Sequence, residues 1–229
     1  MGDQLPLGVG LSDSAVFATY HAGPNAAAVA AVTGGDRVVY LYGPRGVGKS
    51  HLLQAACAAA AGAGSRAALL PLASHASFEP AVVEGWDDLA LVCIDDVDAI
   101  AGDAVWERAL FGLYNAVRAR GGRWLATAAD VPAALGLGLP DLASRLAAGP
   151  VFELRELDDE GRTAALALRA RQRGFELPDD VARYLLRRAP RDMASLYGVL
   201  DALDRASLAQ QRKVTIPLLK TLWSGKTRL

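Results

Sequence analysis

The residues with the clearest chemistry are Gly43-Pro44-Arg45-Gly46-Val47-Gly48-Lys49-Ser50, which satisfy G-x-x-x-x-G-K-[ST] at every fixed position. Glycines let backbone N–H groups turn inward around phosphate oxygens without Cβ clashes. Lys49 offers a positive charge to β- and γ-phosphates, and Ser50 offers a hydroxyl to magnesium. The first turn of the following helix adds its dipole to the same anion. His51 continues the same nucleotide-binding stretch. The spacing predicts a nucleotide-phosphate site with Mg2+.

A second constellation is Leu91-Val92-Cys93-Ile94-Asp95-Asp96. Its apolar run predicts a buried strand that delivers two carboxylates at its carboxyl end, where open α/β sheets bind ligands. Asp95 is expected to hold the magnesium and Asp96 to orient a water against the terminal phosphate.

These groups need a frame. Residues 38–42 (VVYLY) predict the strand that feeds the glycine loop, and the alanine-rich stretch 49–61 predicts the helix that leaves it. Further strands are expected at 67–72, 89–94, 124–128 and 151–154. Residues 105–120 have helical period, with Trp106, Leu110, Leu113 and Val117 on one face. Strands alternating with helices predict a parallel sheet covered on both faces. After Leu154 the strand signals stop, and 158–173, 179–188, 191–209 and a short segment opening at Thr215-Ile216-Pro217 read as helices. The expected fold class is α/β: a P-loop domain with a five-stranded parallel sheet at 13–155, then a small all-helical domain at 156–229. Residues 1–12 are read as a tail.

Composition narrows the function. With 229 residues, 52% hydrophobic and 21% charged, the chain is neither disordered nor fibrous. No run of about 18 apolar residues could span a membrane, and the first residues lack the basic and apolar regions of a secretory signal. Cys57 and Cys93 are read as two reduced, buried thiols, far apart, in a cytoplasmic protein. His21, His51 and His75 form no HxxH or HExxH spacing, which leaves zinc chemistry unsupported. Residues 156–229 hold 14 basic against 10 acidic side chains, too slight an excess for a dedicated DNA-binding domain. The four tryptophans are placed as core or partner-packing residues rather than a base-stacking platform, and Arg183, Arg187 and Arg188 as a solvated helix face.

The chain resembles AAA+ modules of the bacterial initiator clade, and more closely the Hda family of DnaA-related regulators. The resemblance is carried by FATYHAGPNAAAVAAV, GPRGVGKSHLLQA, LVCIDDVDAI, LATAADVP, LPDLASRLAAG, PRDMASLYGVLDALDRASL and QRKVTIPLLKTL. It implies a AAA+ fold with a helical lid. Position by position, it implies sensor-one roles for Thr127 and Asp130 near the γ-phosphate, and an arginine finger at Arg145. Arg191, at the start of the penultimate helix, would be the sensor-two arginine. Tyr20 and Asn25 would lie in the segment that closes over the adenine. A guanidinium suits the two arginine roles, because it grips phosphate oxygens bidentately and stabilises charge that develops in phosphoryl transfer.

The same resemblance implies partners. Gln4-Leu5-Pro6-Leu7 looks like the family's sliding-clamp peptide, with Gln4, Leu5 and Leu7 entering an apolar groove as an extended segment; Gly8-Val9 departs from the family form. The implied function is a negative regulator of replication initiation that holds ADP, docks on the clamp, reaches DNA only through it, and accelerates hydrolysis by the initiator DnaA. The alternative is a AAA+ ATPase acting as a helicase loader or remodelling factor on its own ATP, and head-to-tail self-association is compatible with either. A DNA-binding initiator is disfavoured, since such proteins carry a helix-turn-helix domain after the lid.

Overall fold

The computed structural model describes residues 15–210 and 213–226. Gln4, Leu5 and Leu7 lie outside the described residues. The chain divides into two compact units, Met1–Arg155 and Glu156–Leu229.

The first unit is built on five parallel strands: β1 (Val38–Tyr42), β2 (Ala67–Pro71), β3 (Leu91–Asp95), β4 (Arg123–Ala128) and β5 (Val151–Glu153). Their order across the sheet is β2-β3-β4-β1-β5, the five-stranded parallel sheet that the alternating pattern predicts. The central strands read as unbroken apolar runs because both faces are covered. Val39, Leu41, Cys93 and Leu125 face a layer that contains α1 (Ala26–Thr33) and α2 (Lys49–Gly62). Tyr40, Val92, Ile94, Trp124 and Ala126 face the opposite layer, with α3 (Ala104–Ala119) and α4 (Pro140–Leu146). On α3, Trp106, Leu110, Leu113 and Val117 are all buried, as their spacing predicts.

Several boundaries differ from the sequence expectation for identifiable reasons. Strand β3 starts at Leu91, because Leu89 is engaged in a turn in which its N–H donates to the Trp86 carbonyl. Strand β5 ends at Glu153, although the Leu154 N–H still donates to the Tyr42 carbonyl at 2.7 Å. The cysteines, expected to be far apart, meet: Cys57 on α2 and Cys93 on β3 are both buried and free. Burial pushes the Cys93 thiol up and the neighbouring Cys57 thiol pushes it further, while its Sγ donates to the Leu53 carbonyl at 3.8 Å. Helix–strand packing closes the 35-residue gap that the sequence shows.

The second unit contains α5 (Asp159–Gln172), α6 (Asp179–Arg188), α7 (Met193–Gln210) and α8 (Ile216–Lys226). Asp158 caps α5 by accepting the Gly161 N–H at 2.7 Å. Leu166, Leu185, Leu196, Leu200, Leu203 and Leu219 form its core. Helices α5 and α7 are also tied by ions: Arg169 and Arg173 grip Asp201, and Arg173 Nε donates to Asp204 at 2.7 Å. Among the described residues, no helix is long and apolar enough to cross a membrane.

Candidate nucleotide-binding site and an exposed arginine

The sheet order places the carboxyl ends of β3, β4 and β1 side by side. Leu41 pairs with Thr127 and Ile94 with Ala126, so Asp95, Thr127 and the strand leading to the glycine loop end at one level. The loop turns away at Gly43 (φ 142°) and Gly48 (φ 105°), conformations that L side chains rarely adopt. Space forbids a side chain there too. A Cβ on Gly43 would come within 2.5 Å of the Leu154 carbonyl oxygen, and one on Gly48 within 2.8 Å of the Tyr20 ring.

Helix α2 then opens at Lys49 with no side chain capping its first turn, which leaves those N–H groups for an anion. Lys49 is only 8% exposed, and its Nζ donates to the carbonyls of Gly43 (2.6 Å) and Pro44 (3.1 Å). A cradle of uncapped backbone N–H groups with a buried ammonium beneath it fits the phosphates of a nucleotide. Among the described residues no cluster of three or more His, Cys, Asp or Glu is placed to hold a metal. A magnesium ion would instead share phosphate oxygens with Ser50 and Asp95, as that hard cation commonly does.

Thr127 links the two acidic residues. Its hydroxyl donates to the Asp95 carboxylate, and its oxygen accepts the Asp96 N–H at 3.0 Å. Asp96 has φ 56°, a left-handed conformation that aspartate tolerates better than most residues. Its carboxyl is pushed up, first by burial, then by Asp95 and Asp98, while Lys49 and Arg45 pull it down. The glycine loop and the acid pair therefore act on one electrostatic environment. Asp98 and Tyr40 had no place in the sequence reading of the site. The Asp98 carboxylate accepts the Ala129 N–H at 3.0 Å, and the Tyr40 hydroxyl donates to the Asp130 carbonyl at 2.7 Å. Together they fix the turn after β4; the Asp130 carboxylate itself accepts the Val131 N–H at 2.7 Å.

The segment ahead of β1 also lies against the loop. The Thr19 hydroxyl donates to the Val16 carbonyl at 2.7 Å, so its oxygen can only accept from His51, whose Nε2 lies 3.1 Å away. That Nε2 is also 3.2 Å from the Val16 carbonyl, which requires the Nε2–H tautomer. The Tyr20 ring meets the His51 ring edge-on at 5.3 Å. His51, read as part of the nucleotide stretch, thus fastens the Tyr20 segment to α2. Asn25 is buried and makes a two-way amide lock: its Nδ2 donates to the Arg155 carbonyl at 2.9 Å, and its Oδ1 accepts the Arg155 N–H at 2.8 Å.

The two arginines implied by the resemblance are both exposed. Arg145 sits in the last turn of α4, between Leu142 and Leu146, which are fully buried in the sheet-side core. Among the described residues it forms no ion pair, and its Cζ stands 6.0 Å from the Phe111 ring centroid. Arg191 precedes α7 rather than opening it, because Asp192 accepts the Ser195 N–H at 2.8 Å and so caps the helix. Within its own unit Arg191 is 3.8 Å from Asp159.

Comparison with known proteins agrees with this geometry. Residues 159–222 match the family described as Hda, lid domain. Domain III of the replication initiation protein DnaA from Thermotoga maritima has the same fold, with a TM-score of 0.76 at 20% identity over 93% of this chain and 97% of that one. AMPPCP-bound DnaA from Aquifex aeolicus gives a TM-score of 0.69 at 22% identity, over 84% of this chain and 66% of that one. A RuvB variant from Thermotoga maritima gives 0.61 at 16% identity, over 87% and 66%. At such identities the likeness speaks for the fold, which is that of DnaA domain III.

Proposed function

From a DnaA-like AAA+ fold that carries an Hda lid domain, we propose a cytoplasmic regulator of replication initiation that holds ADP in its own cradle and delivers Arg145 to the ATP of a DnaA initiator. The observation that carries this reading is Arg145: exposed, without a carboxylate partner among the described residues, and borne by a helix whose neighbouring leucines are buried. A cation left in this way is suited to meet a phosphate on another molecule, where a finger stabilises the transition state. The resident nucleotide, with Mg2+ shared by Ser50 and Asp95, would be structural. Arg191 keeps the sensor-two role and the Gln4-Leu5-Leu7 peptide the sliding-clamp role that the resemblance assigns.

A second reading, hydrolysis of its own ATP as in a loader, is favoured by one feature. Asp96 is a carboxylate of raised basicity beside the loop lysine, suited to orienting water.

The two readings separate in one experiment. Phosphate release from an ATP-loaded initiator is measured with clamp-loaded DNA and this protein carrying ADP. Wild type should stimulate strongly, and Arg145→Ala should lose about 10³-fold of that stimulation. A variant lacking residues 1–9 should lose it as well if the tail is the clamp tether. Absence of stimulation by wild type overturns the regulator and favours the loader.

A further inference from the structure

Glu107 is a carboxylate with 1% exposure that forms no ion pair among the described residues. Both of its oxygens are nonetheless hydrogen-bonded. Oε1 accepts the N–H groups of Gly102 (2.8 Å) and Gly138 (3.0 Å), and Oε2 accepts that of Leu139 (2.7 Å). Gly102 lies just ahead of α3, whereas Gly138 and Leu139 lie 31 and 32 residues downstream of Glu107, at the entry to α4. A buried charge is tolerated only where hydrogen bonds replace its water, and three backbone donors do so here.

The same face of α3 reaches α4 a second time. Phe111 is one turn beyond Glu107, and its ring is the one that stands beneath the Arg145 guanidinium. Glu107 therefore fixes where α4 begins, and Phe111 meets the cation where it ends. Between them Leu142 and Leu146 hold the helix to the core. The geometry points to Glu107 as the positioning residue for the finger: it sets the origin of α4 and thereby the direction in which Arg145 leaves the domain. This rests on the finger reading of Arg145.

The finger's effect depends on placement, and a shift of about 1 Å can cost on the order of 10²-fold in rate. In Glu107→Gln an amide NH2 replaces one acceptor oxygen and faces backbone N–H groups that it cannot accept from. The test is the single-turnover rate of phosphate release from ATP-loaded initiator on clamp-loaded DNA. It is run with ADP-bound full-length wild type, Glu107→Gln, Arg145→Ala and the double variant. Glu107→Gln should lower the rate at saturating protein by about 10²-fold, with half-saturating concentration and ADP affinity unchanged. The double variant should be no slower than Arg145→Ala alone, because a residue that acts through the finger has nothing left to place.

A wild-type rate in Glu107→Gln overturns the assignment while the finger reading stands. So does a parallel loss of ADP affinity, or a further loss in the double variant. A wild-type rate in Arg145→Ala overturns the finger and the positioning role together. If Glu107→Gln does not fold, Glu107→Asp, one methylene shorter, carries the test by hydrogen exchange. Amides 138–146 should exchange faster while amides 43–50 keep wild-type protection, and unchanged exchange in both segments contradicts the proposal.

Discussion

The cradle at the ends of β1, β3 and β4 and the arginine on α4 are built in opposite ways. In the cradle the groups with chemistry are themselves buried and partnered: Lys49 on two loop carbonyls, Asp95 on Thr127, and the Tyr20 segment fastened through His51. On α4 the chemical group is exposed, and its support is what is buried, in Leu142, Leu146 and Glu107. The difference follows from where each ligand would sit. A group that serves a ligand inside the domain can be preorganised by direct neighbours. One that serves another molecule has to be left uncovered, so its aim must come from the scaffold below it.

Substitution should expose this contrast, with the largest effect at the cradle. Gly48→Ala forces a side chain into φ 105° and to within 2.8 Å of the Tyr20 ring. It should cost about 1–3 kcal/mol in denaturant unfolding and weaken nucleotide binding in calorimetry. Arg145→Ala should change stability by no more than about 0.5 kcal/mol and leave nucleotide affinity intact. Equal stability losses in the two variants would erase the contrast.

A smaller effect is expected where the cradle's outer segment is locked. Asn25→Ala removes both hydrogen bonds to the Arg155 backbone and should cost about 2 kcal/mol, read as a lowered urea midpoint. An unchanged midpoint would mean that water replaces the amide fully.

The smallest concerns Asp96. Its folded-state pKa lies above the ordinary 3.8, so the folded protein binds this proton more tightly than the unfolded chain. The associated stability is fully present below 3.8 and is lost as pH rises through the folded-state pKa. Asp96→Asn, which also suits the left-handed φ, should therefore melt slightly above wild type at pH 7, by about 2 °C or less. The gap should close as the pH falls toward 4. A lower melting point at pH 7 would contradict this electrostatic account.

The sequence made the cradle legible because its chemistry is local. Gly43 to Ser50 and Asp95-Asp96 are contiguous patterns, and the strands that present them are plain apolar runs. Helix α1 leaves no periodic signal, since AAAVAAVT lacks the polar face that reveals one, and α4 is only seven residues long. Asn25, which the resemblance puts in the segment that closes over the adenine, spends its amide on a residue 130 positions away, a pairing no local pattern reveals. Glu107 carried no signal at all. An acid in an amphipathic helix reads as solvated until a loop 31 residues on closes over it. What escaped the sequence was tertiary placement rather than chemistry.

The most direct test of action in trans compares two nucleotide states of the initiator. The initiator's affinity for this protein, loaded with ADP, is measured once with the initiator holding ADP and once with it holding ADP–aluminium fluoride, which mimics the phosphoryl-transfer transition state. Wild type should bind the fluoride complex at least about 10²-fold more tightly, and Arg145→Ala should bind the two alike. The same preference in both proteins would contradict a finger at Arg145.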